Sequence, residues 1–363
     1  MSQVKIILSV EHPAWVHQFK YVIENLKRQG HEVKVVAITK DVTIDLLNAY
    51  NIPYELISES SGKGILEKGL IFLRTTYKIF RICLKDAPDM FIGRASPMMA
   101  INSSLFRKPH IVFEDTEISR FSLWICKLFS DVIITPKCFT EDLGRKHIGI
   151  DANKELFYLH PKYFHPNPQT LELMDLGCED KFIILRFVAW DAHHDIGHTG
   201  LTLDTKRKAV HEFQKYGRVF ITSEKPLPEE FEEYRISVSP EKVHDLLYYA
   251  TLLYGESSTM ASECAVLGTH ALFCDFAGRG YTDEEERDYD LVYNFKLDES
   301  SQERSIEKAV KLLQDPDLKT KGREKQKRLL NDKIDVTAFM IWFIENYPES
   351  VVVMKNNPTK MFT

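Results

Sequence analysis

Nine residues in the second half of the chain, Gly-Glu-Ser-Ser-Thr-Met-Ala-Ser-Glu from Gly255 to Glu263, follow an apolar run and open a helical pattern. Ser257, Ser258 and Thr259 then stand at a helix start, where unpaired backbone N–H groups and the helix dipole favour an anion, and their hydroxyls add donors to the same oxygens. Glu263 lies a helical turn further on, where a carboxylate suits the vicinal hydroxyls of a ribose. Ala261, Ser262 and Ala265 are small enough to let this helix approach its sheet or a ligand closely. The plain alternative is a Ser/Thr-rich cap, with Glu263 a first-turn acid that suits the dipole.

Other groups capable of chemistry stand after apolar runs in the first half. His12 and His17 flank a Pro-Trp turn after the first run. A histidine near neutral pKa suits a base or a phosphate contact, whereas a bland reading makes His12 a helix cap and packs His17 against Phe19. Arg94, in Gly93-Arg94-Ala95-Ser96, offers a planar fork for carboxylate or phosphate, with Ser96 beside it. Glu114, Asp115 and Glu117 put three acids in four positions. They read either as a solvated turn or as a site in which Glu114 or Asp115 is a general base or orients His17 or Arg94. Arg186 sits inside an apolar strand pattern and must find an anion or a hydrogen-bond network. His194 and His198 with Asp191 or Asp195 have a zinc-ligand spacing, but that spacing needs a helix, and Gly197 and Gly200 argue for a loop. No metal is expected.

The elements that must position these groups alternate. Strands are predicted at 4–10, 33–38, 54–57, 90–92, 110–113 and 132–135, with helices at 13–30, 44–50, 64–85, 98–106, 121–129 and 140–146. Short apolar runs separated by helices imply parallel strands, which need crossover connections. Pro161, Pro166 and Pro168 then suggest an extended connector. Alternation resumes with strands at 182–188, 218–222, 251–254 and 271–274, and a helical tail closes at 305–313 and 336–347. The expected fold class is α/β, two doubly wound Rossmann-like domains facing a cleft: 1–160 and 178–332, a linker at 161–177, and a C-terminal helix over 333–350 placed to cross back to the first domain. The candidate loops all fall at strand C-termini, where open parallel sheets bind ligands.

The 363 residues exceed what one core of roughly 250–300 residues accommodates. With 44% apolar and 28% charged residues the chain is neither disordered nor low-complexity. Its 53 acids against 47 bases, a net charge of −6, argue against a general nucleic-acid binder. No apolar run reaches the roughly 18–20 residues of a spanning helix, and the start lacks a signal-peptide pattern. The six cysteines are widely spaced and read as reduced and buried. A cytoplasmic protein is expected, and oligomeric state is left open. The helix at 64–85 carries Arg74, Lys78, Arg81 and Lys85 among apolar residues. It could rest on an anionic membrane surface, although an ordinary surface helix with a solvated basic face is the favoured reading.

The 255–263 segment, continued by Ala265 and Leu267-Gly268-Thr269, resembles the nucleotide-sugar loop of glycosyltransferase-B-fold proteins, among them the lipid II-forming N-acetylglucosaminyltransferases and the UDP-N-acetylglucosamine 2-epimerases. In that superfamily the Ser/Gly residues hold the pyrophosphate and a Glu six positions on holds the ribose, the separation of Ser257 and Glu263. Ser258-Thr259 stands where some members carry Gly-Gly. A narrower resemblance spans nearly the whole chain, to a prokaryotic domain-of-unknown-function family considered glycosyltransferase-B-like. It rests on His12-Pro13, His17-x-Phe19, Gly30-His31-Glu32-Val33, Asp41-Val42-Thr43, Gly93-Arg94-x-Ser96-Pro97, Phe113-Glu114-Asp115-Thr116-Glu117, Arg186-Phe187-Val188-x-Trp190 and Lys333-Ile334-Asp335-Val336-Thr337.

The resemblance implies a nucleotide-sugar donor, UDP-linked in the first instance, and a saccharide or lipid-linked acceptor, with no further cofactor. Catalytic candidates are then His17, Glu114 and Asp115. Substrate contacts are His12, Arg94, Ser96, Arg186, Ser257, Ser258, Thr259 and Glu263, joined by Trp190 and His194 in a donor-contact loop. Glycosyl transfer in surface polysaccharide or glycoconjugate synthesis, 2-epimerisation of a UDP-sugar, and non-catalytic binding remain as alternatives.

Overall fold

A computed structural model describes residues 3–58, 64–117, 120–188, 200–223 and 226–356. The chain divides into two compact units, one made of Met1–Tyr158 with Lys333–Thr363 and the other of Leu159–Asp332.

The first unit opens with β1 (Lys5–Val10), buried at every position after Lys5. Such near-continuous apolar strands are what a sheet covered on both faces requires. His12 then caps α1 (Pro13–Arg28): its Nδ1 accepts from the Ala14 N–H at 3.2 Å, and Pro13 has the backbone angle of a first turn. Val16, Phe19, Val22, Ile23 and Leu26 recur at helical spacing and form the buried stripe of α1. The series continues through β2 (Glu32–Ile38), α2 (Thr43–Ala49), β3 (Tyr54–Ser58), α3 (Ile65–Asp86), β4 (Met90–Gly93) and α4 (Pro97–Phe106). It closes with β5 (His110–Phe113), α5 (Arg120–Phe129), β6 (Val132–Pro136), β7 (His147–Ile150) and α6 (Leu156–Leu159). The sheet is parallel, in the order β3-β2-β1-β4-β5-β6-β7. The chain runs outward from β1 to β3 and returns on the other side at β4. The loops after β1 and β4 therefore meet at a topological switch point.

The second unit contains α7 (Gln169–Glu172), β8 (Phe182–Phe187), α8 (Leu203–Phe213), β9 (Arg218–Ser223), α9 (Val243–Tyr249) and β10 (Leu252–Gly255). There follow α10 (Ser258–Leu267), β11 (Ala271–Cys274), α11 (Gly280–Arg287), β12 (Val292–Phe295), α12 (Glu299–Leu313) and α13 (Leu318–Asp332). Its parallel sheet has the order β12-β11-β10-β8-β9, so the switch point lies between β8 and β10. Its core gathers Phe187, Phe213, Tyr254, Leu272 and Ile306. The buried Tyr254 hydroxyl is bonded to Ser305 at 2.8 Å.

The chain then returns to the first unit through α14 (Val336–Glu345) and α15 (Glu349–Asn356). The Ile334 N–H donates to the Asp151 carbonyl at 2.9 Å and the Thr337 hydroxyl to the Phe157 carbonyl at 2.8 Å. His31 meets Glu345 at 3.4 Å.

Three local departures from expectation have physical causes. The helix expected at 140–146 shrinks to a 3-10 turn, Gly144–Lys146, because Asp142 accepts the Gly144 N–H and Gly144 adopts a φ of 78°. β7 follows at once. Residues 161–177 include α7, and Asp245 of α9 accepts from the Asn167 N–H and the Thr170 hydroxyl, both at 2.9 Å. α8 and β12 add to the expected series; α8 buries only Lys206, Ala209, Val210 and Phe213, which gives a weak periodic signal.

Candidate functional site

Arg94 follows β4, and its guanidinium reaches across to the loop after β5, where Nη2 bonds both the Glu114 and the Asp115 carboxylates. Trp15 lies 5.8 Å away across its ring face. Glu114 is fixed further by accepting from the N–H groups of Ala95 at 3.2 Å, Asp115 at 3.1 Å and Thr116 at 3.1 Å. Lys154 comes from the stretch after β7; its Nζ sits 2.8 Å from Asp115 and 3.3 Å from Glu155. All five charged groups are buried. Burial by itself would raise the Asp115 pKa, but Arg94 and Lys154 overcome it and hold the carboxyl well below the usual range. Sequence reasoning singled out Arg94, Glu114 and Asp115 and missed Lys154 and Glu155. The available signal was three polar residues in succession, Asn153 to Glu155, ahead of an apolar run. Glu117 lies at the edge, accepting from the Thr140 N–H at 3.3 Å.

A second missed residue adjoins this cluster. Glu11 directly follows β1, and its Oε1 is buried without a hydrogen-bond partner. Burial raises its pKa to about 7, and the hydroxyls of Ser96 and Ser9 and the charge of Lys40 oppose that only in part. Ser96 also caps α4, accepting from the Met99 N–H at 3.4 Å. His12 has the opposite character. Burial and then the charges of Lys40, Arg94 and Lys154 depress its pKa to about 3. With Nδ1 accepting from Ala14, the neutral ring carries its proton on Nε2 and presents a donor. His17 lies one turn further along α1, with Nδ1 3.0 Å from the Tyr50 hydroxyl and its ring stacked on Tyr158. Its environment is the aromatic packing around α1.

In the second unit, β10 ends at Gly255, where a Cβ would sit 2.0 Å from the Arg186 carbonyl oxygen. Only glycine allows that approach. Glu256 then turns back: Val188 N–H donates to it at 2.6 Å, Leu201 N–H donates to its other oxygen, and Lys206 Nζ lies 3.6 Å away. The acid of this motif thus anchors both chain ends flanking 189–199. Ser257 caps α10, its Oγ accepting from the Met260 N–H at 3.3 Å. Ser258 and Thr259 form the partly exposed first turn, whose N–H groups have no acceptor within the helix. Beyond that turn α10 is buried all round, and Ser262 bonds Glu285 at 2.5 Å. Glu263 is buried too, with Oε1 2.9 Å from His244 Nε2, and the His244 ring stands edge-on to Phe164.

Arg186 projects from β8 and donates to the Thr222 hydroxyl of β9 at 3.2 Å. Trp190 and His194 lie outside the described residues, as do Asp191, Asp195 and His198. Among the described residues no cluster of three or more His, Cys, Asp or Glu side chains could hold a metal ion.

Solved structures similar over nearly the full length include a Listeria monocytogenes putative UDP-N-acetylglucosamine 2-epimerase, with a TM-score of 0.68, 13% identity, and coverage of 99% of this chain and 98% of that one. The S. aureus MnaA–UDP co-structure is similar at TM-score 0.67 and 12% identity, covering 96% and 98%. The spinosyn forosaminyltransferase SpnP is similar at TM-score 0.63 and 11% identity, covering 97% and 100%. At these identities the likeness shows the fold: two Rossmann-like units of the glycosyltransferase-B kind. No curated protein matches significantly. At the level of sequence, the profile described as "Protein of unknown function (DUF354)" matches residues 4–343, and the chain belongs to that family.

Proposed function

We propose that this protein is a nucleotide-sugar-dependent glycosyltransferase of surface polysaccharide or glycoconjugate synthesis. The observation that carries the reading is the β10–α10 junction, a partly exposed Ser257-Ser258-Thr259 first turn on a buried ten-residue helix, placed at the switch point of its sheet. Those N–H and hydroxyl groups would receive the diphosphate of the donor and neutralise it as it leaves, a role that asks for no divalent metal. Glu263, aligned by His244, would accept from the ribose hydroxyls. Arg186 and the 189–199 segment, with Trp190 and His194, would contact the donor.

The first unit supplies proton transfer in this reading. Glu114 and Asp115, charged and held by Arg94, are positioning groups. Glu11 takes the proton. The acceptor hydroxyl loses its hydrogen to the Glu11 carboxylate as its oxygen bonds to the anomeric carbon; the bond from that carbon to phosphate breaks and the nucleoside diphosphate departs with the electron pair. His12 donates a hydrogen bond to the bound sugar from Nε2. The acceptor is a saccharide or a lipid-linked saccharide.

Calorimetry with UDP and UDP-N-acetylglucosamine tests the donor seat, and Glu263→Ala is expected to weaken binding by about 1–3 kcal/mol. Unchanged affinity removes Glu263 from the site. Turnover of the UDP-sugar without any acceptor, with deuterium entering at sugar C2, would identify a 2-epimerase instead. Binding without turnover across a panel of acceptors would leave a binding protein.

A further inference from the structure

Helices α3, α4 and α5 cover the first sheet side by side. Ile79, Ile82 and Cys83 of α3 share a core with Met98 and Met99 of α4, and Ala100 of α4 shares another with Leu123 and Cys126 of α5. Helices seated in this way should turn polar residues outward. These do not. Ten of the thirteen strongly exposed large apolar side chains among the described residues belong to these three helices, so the exposure is concentrated rather than scattered.

On α3 the exposed residues are Leu66 (91%), Leu70, Leu73 (64%), Tyr77 and Leu84 (60%). At about 100° per residue they fall within about 40° of a single line. That line runs opposite the buried Thr75, Ile79 and Ile82, so α3 has two apolar faces, one on the core and one on solvent. Arg74, Lys78, Arg81 and Lys85, all exposed, form a second line turned by about 90° from the first. Lys78, Arg81 and Lys85 border a groove that also touches Glu55. On α5, Phe121 (67%), Trp124 (56%) and Leu128 recur at helical spacing, with the Phe121 and Trp124 rings 6.4 Å apart. Leu105 of α4 is exposed between them in the chain, next to Phe106, whose ring lies 5.3 Å from Phe80 of α3.

Exposed apolar side chains concentrated on three neighbouring helices in this way mark an interaction site. A basic row along its flank selects a negatively charged partner, and a long stripe with aromatic and basic residues suits a planar water–lipid boundary. A two-fold contact with a second copy, centred on the stripe with the two α3 helices antiparallel, would bring their basic rows together. Among the described residues no helix is long and apolar enough to cross a membrane.

We propose that the α3–α5 face docks on an anionic lipid membrane. Leu66, Leu70, Leu73, Tyr77 and Trp124 enter the boundary between headgroups and acyl chains, while Arg74, Lys78, Arg81 and Lys85 meet lipid phosphates. The proposal does not depend on nucleotide binding. Flotation of the full chain with vesicles tests it, using phosphatidylcholine alone and phosphatidylcholine mixed with phosphatidylglycerol. The protein is expected to float with the mixed vesicles, less so as salt is raised. Leu73→Ser with Leu84→Ser, and separately Arg74→Glu with Lys78→Glu, are expected to weaken vesicle binding about tenfold or more. Both pairs are exposed, so thermal melting should be unchanged and serves as the folding control. Failure to float with anionic vesicles overturns the proposal, as does flotation unaltered in the folded Leu73/Leu84 variant. Sedimentation velocity showing self-association that this variant abolishes, without vesicle binding, assigns the face to a second copy and also overturns it.

Discussion

Glu11 and Asp115 are carboxyl groups on loops of one sheet with opposite protonation behaviour. Asp115 has Arg94 and Lys154 against it and stays charged. Glu11 has hydroxyls and a more remote lysine, so burial prevails and its pKa rises to about 7. If Glu11 is the proton acceptor, kcat/KM should rise with pH to a plateau above about 7, and Glu11→Gln should remove activity without removing nucleotide binding. Stability provides an independent measurement. The folded-state pKa lies above the unfolded value of 4.5, so the wild-type chain loses stability between those values and stays at the lower level above them. Glu11→Gln should therefore raise unfolding free energy by about 1–3 kcal/mol at pH 8, with the gain vanishing below pH 4.5. Denaturant titrations at the two pH values check this. Arg94→Ala leaves Glu114 and Asp115 buried without their shared partner and should cost about 3–5 kcal/mol in the same titrations. The polar residue types at 94, 114 and 115 were legible because a Gly-Arg-x-Ser turn and three acids in four positions, each after an apolar run, are conspicuous. Glu11 was not: a single acid at the end of a strand is unremarkable until its burial is known.

At the scale of the element, the β10–α10 turn combines a close backbone approach with a side-chain cap. Gly255→Ala would force a methyl against the Arg186 carbonyl, and a loss of about 2 kcal/mol or more in thermal or denaturant unfolding is expected. Ser257→Ala removes the acceptor for the Met260 N–H and should cost about 1 kcal/mol. Both variants should also lower UDP affinity in calorimetry if this turn seats the diphosphate. The helix start, its cap and its small residues were readable from type and spacing. The partner of Glu263 was not, because His244 lies nineteen positions away on α9 and only packing brings the two rows together. α3 shows a related limit. Its basic residues and apolar period were evident, whereas the outward apolar stripe appeared only when the sheet claimed the opposite face.

At the scale of the molecule, the second crossing between units makes the tail part of the first unit. Val336, Phe339, Met340 and Phe343 are buried there, and Phe339→Ala should cost about 3–5 kcal/mol. Hydrogen exchange should then rise in β1–β7 while β8–β12 keep wild-type protection. Equal loss in both sheets would place α14 differently.

The alternation of short apolar runs with amphipathic stretches determined the parallel α/β class by itself, since parallel neighbours need crossovers and crossovers need helices. It also put the reactive residue types at strand ends. Spacing along the chain says nothing of which loops become neighbours, and that was decided by strand order. Placing β4 beside β1 brings Ser96 to Glu11, and placing β5 beside β4 brings Glu114 and Asp115 to Arg94. Charge and protonation depend on burial and on partners distant in sequence, so they belong to the tertiary structure alone.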